Sequence, residues 1–143
     1  MRLFFALLST VYILTNVARA GETLTVYTYE SFVAEWGPVP AIKNTFESEC
    51  DCTSNWVGLQ DGEAILNRLK LEGRGTKADV VLGLDTNLLT EARTTGLLAP
   101  HGVELSDLQL PITWSDDTFV PFDFAHFAVI YDREKVKTPP ASL

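Results

Sequence analysis

Alternating and three-to-four-residue apolar spacings succeed one another along this chain. Leu24-Thr25-Val26-Tyr27-Thr28-Tyr29 is rich in β-branched and aromatic residues and predicts a strand that enters a loop at Glu30-Ser31-Phe32. Pro38 and Pro40 then open a predicted helix whose apolar marks, Val39, Ile42 and Phe46, recur at helical spacing. Trp56-Val57-Gly58-Leu59 predicts a second strand. Asp61 stands where its side chain can cap a second helix, with Ile65, Leu66 and Leu69 as the buried stripe and Gly73 or Gly75 as its end. The run Ala78 to Leu84, ADVVLGL, has the continuous apolar character of a buried parallel strand, and Asp85 is placed to cap a helix carrying Leu88, Leu89 and Ala92 up to Gly96. Residues 97 to 118 read mostly as loop. A last strand is predicted over Phe124–Tyr131, followed by a charged turn and the Pro139-Pro140 break. Strands alternating with helices predict an α/β fold, a parallel-sheet lobe with flanking helices, and ligand chemistry at the carboxyl ends of the strands. The loops to inspect are therefore Tyr29 to Trp36, Gln60-Asp61-Gly62 and Leu84-Asp85-Thr86.

The first 20 residues break this pattern. In MRLFFALLSTVYILTNVARA, Arg2 supplies a positive start, Phe4 to Val17 an apolar core, and Ala18-Arg19-Ala20 a small-x-small site for cleavage before Gly21. A membrane anchor is the rival reading, but the run is short for a span and is interrupted by Ser9, Thr10, Thr15 and Asn16. The expected product is exported to the periplasm. The full 143 residues carry a formal charge of −8, and losing Arg2 and Arg19 leaves 9 basic against 19 acidic residues over 123, a charge of −10. Nothing in that balance offers a basic field for a phosphate backbone, so nucleic acid is excluded as a partner and a cationic or neutral small ligand is favoured. Cys50 and Cys52 enclose one residue, and in an oxidising compartment they permit a very small disulfide ring. Reduced structural thiols are the alternative. No second cysteine pair or nearby histidine suggests a metal site.

Each candidate side chain has a structural and a functional reading. Tyr29 and Trp36, in YTYESFVAEWG, are either core aromatics or flat cleft residues beyond a strand end that can stack on a ring. Asp61 is either a helix cap alone or also a carboxylate that holds a donor or cation, and Gly62 leaves its amide open to a ligand oxygen. Asp85 shares the ambiguity of Asp61. Trp114 reads as the cover of a core edge, His126 as a buried, hydrogen-bonded histidine within an apolar strand, and Asp116-Asp117 as a solvated pair. Signatures of catalysis are missing from the sequence: no GxSxG elbow, phosphate-binding GxxxxGK[ST] loop, GxGxxG fingerprint, HExxH or EF-hand register occurs. The chain therefore reads as a binding protein and not an enzyme. A carboxylate-based hydrolase, with Asp61 and Asp85 converging at strand ends, is the reading from another class.

The strings LTVYTYESFVAEWGP, VGLQDGEAILNRLKLEG, KADVVLGLDTNLL and DTFVPFDFAHFAVIYD closely resemble the periplasmic thiamine-binding proteins of bacterial ABC transporters, across essentially all of residues 23 to 140 and including the CDC spacing. The resemblance implies a type II periplasmic binding-protein fold, in which two α/β lobes close on thiamine or its mono- or diphosphate and deliver it to a membrane permease. It further implies a monomer with thiamine as cargo, not cofactor. By motif, Tyr29 of TYESF, Trp36 of AEWGP and the Asp61-Gly62 pair of LQDGE resemble first-lobe ligand contacts. Family members are roughly twice as long. The expected organisation is a signal peptide over 1–20, a first lobe over 21–122, and over 123–143 a hinge-crossing strand that begins the connection to a second lobe missing from this chain. The same fold binding iron, a polyamine or another small solute is the alternative. Iron would need several convergent oxygen or imidazole ligands, and a polyamine would need more carboxylates around a long slot.

Overall fold

A parallel sheet of order β2-β1-β3 organises the first half of the chain, formed by β1 (Thr23–Tyr29), β2 (Thr53–Leu59) and β3 (Val80–Val81). The computed structural model describes residues 21–126 and 128–138, so the predicted signal segment and the Pro139-Pro140 break lie outside the described residues. Contacts divide the chain into two compact units, one running to Leu84 and the other starting at Asp85. The expected lobe boundary after residue 122 falls inside the second unit.

In the first unit, β1 pairs with β2 in register from Thr23 opposite Thr53 to Tyr29 opposite Leu59, and with β3 at Val26–Val80 and Tyr27–Val81. One turn of helix, α1 (Glu30–Val33), follows β1 where a loop was expected. Next come α2 (Val39–Cys50), which leads to β2, and α3 (Gly62–Glu72), which leads through a single 3₁₀ turn at Gly73–Gly75 to β3. The chain thus returns to opposite sides of β1, and α2 and α3 cover opposite faces of the sheet, as right-handed crossovers require.

Polar contacts tie each helix to its face. On one side the Glu47 carboxylate of α2 accepts from the Ser54 amide and, at 3.0 Å, from Ser54 Oγ, while Lys43 Nζ donates to the Ser54 carbonyl at 3.1 Å. On the other, Tyr27 Oη donates to the Glu72 carboxylate of α3 at 3.0 Å, Arg68 Nε donates to it at 2.7 Å, and the guanidinium lies 4.4 Å from the centre of the Tyr27 ring. The core that these contacts frame includes Val26, Tyr27, Phe32 and Val39 together with the predicted stripe Ile65, Leu66 and Leu69. Of the α2 marks, Val39 is buried, Ile42 half-buried and Phe46 exposed. The helix meets the sheet along Lys43 and Glu47, and Phe46 falls outside that contact. At its end, Asp51 takes a left-handed φ of 51° and Cys50 and Cys52 are joined by a disulfide.

Glu47 and Glu72 are both held below the usual carboxylate range, Glu47 chiefly by the Ser54 amide and Glu72 chiefly by Arg68. A carboxylate whose folded pKa is depressed contributes stability that is complete above its unfolded value and is lost as pH falls through the folded one. Stability should therefore drop on acidification below about pH 4.5, the ordinary glutamate value. Glu47→Gln with Glu72→Gln should flatten that acid limb, measured by urea midpoints across the range.

Thr28 is completely buried, and its Oγ1 has no hydrogen-bond partner among the described residues. An orphaned buried hydroxyl costs free energy that a methyl group of similar shape does not. Thr28→Val is expected to raise stability by about 1 kcal/mol in chemical denaturation.

Four sequence expectations are corrected here. The predicted buried strand over Ala78–Leu84 pairs only at Val80–Val81, and Val80 is exposed, because this strand lies at the edge of the sheet among the described residues. The strand expected over Phe124–Tyr131 is not formed at its described residues, where no ladder partner pairs with the backbone and Phe124, His126, Val129, Ile130 and Tyr131 are exposed. His126 is consequently not the buried histidine its apolar neighbours suggested, and its ring makes a T-shaped contact with that of Phe124, at 6.3 Å between centres. Asp85 caps no helix directly. Its Oδ1 accepts from the Asn87 and Leu88 amides and closes a turn ahead of α4 (Leu89–Thr94), whose own first turn has no side-chain cap.

The second unit holds α4, with Gly96 just beyond it at φ 63°, and a loop network. Asp116 is not a solvated carboxylate. It pairs with Arg93 and accepts from the Thr118 and Phe119 amides, which are the main cause of its lowered pKa. Trp114 is half-buried and donates to the Phe119 carbonyl at 2.9 Å. No helix of the described residues is long and apolar enough to cross a membrane.

Candidate functional site

The strand order puts a topological switch point between β1 and β3: the chain leaves β1 for one neighbour and later returns to the other. In open parallel sheets, a crevice opens outside the carboxyl ends of the strands at such a point. Tyr29 is the last residue of β1, and Leu82-Gly83 follows β3 at the same edge. Tyr29 pairs with Leu59, so Gln60, Asp61 and Gly62 emerge from β2 at that edge too.

Tyr29 is half-buried and its ring is supported from the side. Phe32 of α1 meets it edge-on with centres 5.4 Å apart, and Phe32 stacks on Trp56 of β2 at 6.1 Å and 27°. Trp56 is itself anchored, its Nε1 donating to Ser54 Oγ at 2.8 Å. Of the two readings left open for Tyr29, neither is complete alone: the ring closes one end of an aromatic row and is partly open to solvent.

Trp36 is not a core aromatic. It is 80% exposed, in the turn between α1 and α2 that the Gly37 amide closes on the Ala34 carbonyl at 2.8 Å. Asp61 does cap α3, its Oδ1 accepting from the Ala64 amide at 2.8 Å, while the side chain remains exposed. Gly62 is the first residue of α3 and is half-buried. All four predicted residues thus stand in the first unit. Tyr29, Asp61 and Gly62 share the carboxyl edge of the sheet, and Trp36 sits on the segment that β1 feeds. Asp85 falls in the second unit, as does an open depression of about 320 Å³ lined by residues 108–110 and 121–124, which contains none of the predicted site residues. Among the described residues, no three His, Cys, Asp or Glu side chains gather as a metal site.

The thiamine-binding periplasmic protein of Brucella suis biovar 1 (strain 1330) is 57% identical over 130 residues, 91% of this chain and 39% of that protein. The chain is a homologue of the thiamine-binding periplasmic proteins. Those of Escherichia coli (strain K12) and Haemophilus influenzae (strain ATCC 51907 / DSM 11121 / KW20 / Rd) are 54% and 44% identical, over 87% and 89% of the chain and 38% and 39% of their own lengths. A solved periplasmic thiamin binding protein superposes with a TM-score of 0.77 at 52% identity, covering 88% of this chain and 40% of that one. The chain therefore spans about two fifths of the length of these thiamine-binding proteins. No family model matches it. Its parallel-sheet lobe with flanking helices has the periplasmic binding-protein fold, and the relatives bear the names of binding proteins, not of enzymes.

Sequence reasoning missed Gly83 and the Phe32–Trp56 row. Gly83 was hidden inside a predicted strand; a glycine within an apolar run was the sequence signal for the turn that its φ of 110° shows.

Proposed function

We propose that this chain is part of the solute-binding component of an ABC importer, exported to the periplasm after cleavage before Gly21, which captures thiamine and its phosphate esters and hands them to a membrane permease. In this reading residues 21–122 contribute the first lobe, and 123–143 lead into the connection between lobes. The observation that carries it is the half-buried Tyr29 and the exposed Asp61 at one sheet edge, in a chain 57% identical to a thiamine-binding protein.

The chemistry suits the ligand. Thiamine carries a cationic thiazolium and an aminopyrimidine, and the faces of Tyr29 and Trp36 can stack on either ring and attract the cation. Asp61 supplies an opposite charge whose strength rises as water leaves a closing cleft. For phosphorylated forms, the amide of Gly62 at the start of α3 is a suitable donor. No bond is made or broken: an open form captures ligand, lobe closure buries it, and differential affinity for the two forms drives the cycle.

Calorimetric titration of the full-length protein with thiamine tests the reading. Saturable binding of one equivalent is expected, with ferric ion and spermidine as comparison ligands. A folded sample that binds no thiamine would overturn it.

A further inference from the structure

We propose that Gly83 is a positioning residue for Tyr29, setting the angle at which that ring faces the crevice. The inference rests on the ligand-binding reading above and adds a residue to it. Gly83 lies just past β3 with φ 110°, a conformation that L side chains rarely adopt. A Cβ at this position would stand 2.5 Å from Tyr29 Cδ1 and 3.0 Å from Cε1. Contacts that short do not survive, so one of the two partners has to move.

The backbone beside Gly83 is tied to the sheet, with the Leu82 amide donating to the Tyr27 carbonyl at 2.9 Å, whereas the ring can rotate about its side-chain torsions. The ring is therefore the partner that yields. Phe32, which stacks on Trp56, packs against the same ring with centres 5.4 Å apart and limits where it can go. A side chain at 83 would turn Tyr29 toward the opening of the crevice and change the face presented there. Glycine at this position lets the Cδ1–Cε1 edge of the ring come close to the β3 turn, at the switch point where the sheet order places a ligand.

The test is a double-mutant cycle in the full-length protein, with thiamine affinity measured for the parent, Gly83→Ala, Tyr29→Ala and the pair. Gly83→Ala is expected to weaken binding about fivefold when Tyr29 is present and to have almost no further effect when Tyr29 is alanine, because coupled residues are non-additive. An unchanged affinity, or an equal loss in both backgrounds, would overturn the proposal. Where alanine at 83 prevents folding, Gly83→Asn tolerates positive φ better and still introduces a Cβ. A ligand-free readout separates this claim from the functional one. With 3-fluorotyrosine incorporated and the Tyr29 signal assigned by Tyr29→Phe, the ¹⁹F resonance should shift in Gly83→Ala. An unmoved resonance defeats the positioning role even if thiamine binds, whereas a shifted one in a protein that binds no thiamine supports the placement of the ring and defeats only the functional reading.

Discussion

Trp36→Ala is expected to lower thiamine affinity roughly thirtyfold or more, while the urea midpoint stays where it was. The reasoning begins with exposure. Trp36 is 80% exposed, so truncating it removes little buried surface from the free protein, and surface substitutions of this kind usually fall within about 0.5 kcal/mol. In the complex the same indole would pass from water onto a flat cationic ligand. Burying most of a large aromatic contributes about 1.5–3 kcal/mol. A cation over its face adds about 0.5–2 kcal/mol. Taking the low end of their sum, 2 kcal/mol corresponds to roughly thirtyfold in affinity. Trp36→Phe should recover a good part of the loss, since it keeps a flat face.

Trp56→Ala is the control that gives the result meaning. That indole is half-buried, hydrogen-bonded to Ser54 and stacked on Phe32, so its loss should lower the midpoint first. Calorimetry and denaturation on the same samples separate the two patterns. Unchanged affinity in Trp36→Ala would remove this residue from the ligand site.

The contrast between these two tryptophans also shows what local sequence could and could not convey. The strand at Thr23–Tyr29 and the helix at Gly62–Glu72 were legible because their signals are local and mutually consistent. In the first, β-branched and aromatic residues run together. In the second, a capping aspartate, an apolar stripe at Ile65, Leu66 and Leu69, and a terminal Gly73 with φ 53° agree with one another. The run ADVVLGL announced burial, but only Val80 and Val81 pair with β1, which extends beyond them at both ends, and the chain turns at Gly83, where φ is 110°. Phe124–Tyr131 shows the limit more sharply. Its composition favours a strand, yet strand formation requires a neighbour, and none pairs with its described residues. At four residues, α1 is too short for periodicity to register.

The site divides along the same line. Tyr29, Trp36, Asp61 and Gly62 could be singled out as candidates because strand ends and helix starts can be read one element at a time. What supports Tyr29 was not, because Gly83 and Trp56 reach it only through the pairing of β1 with β3 and β2 and through the switch in strand order.

Asp61 is the residue whose two readings remain entangled in a single side chain, and Asp61→Asn can pull them apart. The cap is observed: Oδ1 accepts from the Ala64 amide at 2.8 Å. Asparagine is about as good a cap as aspartate, so this variant should keep that bond and lose at most about 0.5 kcal/mol of stability through the weaker interaction with the helix dipole. Its charge is gone, however, and with it the attraction to the thiazolium or the charged acceptor for the aminopyrimidine. Hydrogen bonds to charged groups contribute about 1.5–3 kcal/mol, so affinity should fall roughly tenfold to a hundredfold. Asp61→Ala should lose as much affinity and, in addition, about 1 kcal/mol of stability from the vacated cap. Ionic strength provides a second discriminator. Added salt should weaken the parent protein's binding more than that of Asp61→Asn, since only the former retains the charge pair to be screened. If Asp61→Asn bound thiamine like the parent while Asp61→Ala bound it weakly, the side chain would serve the ligand only by holding the start of α3 in place.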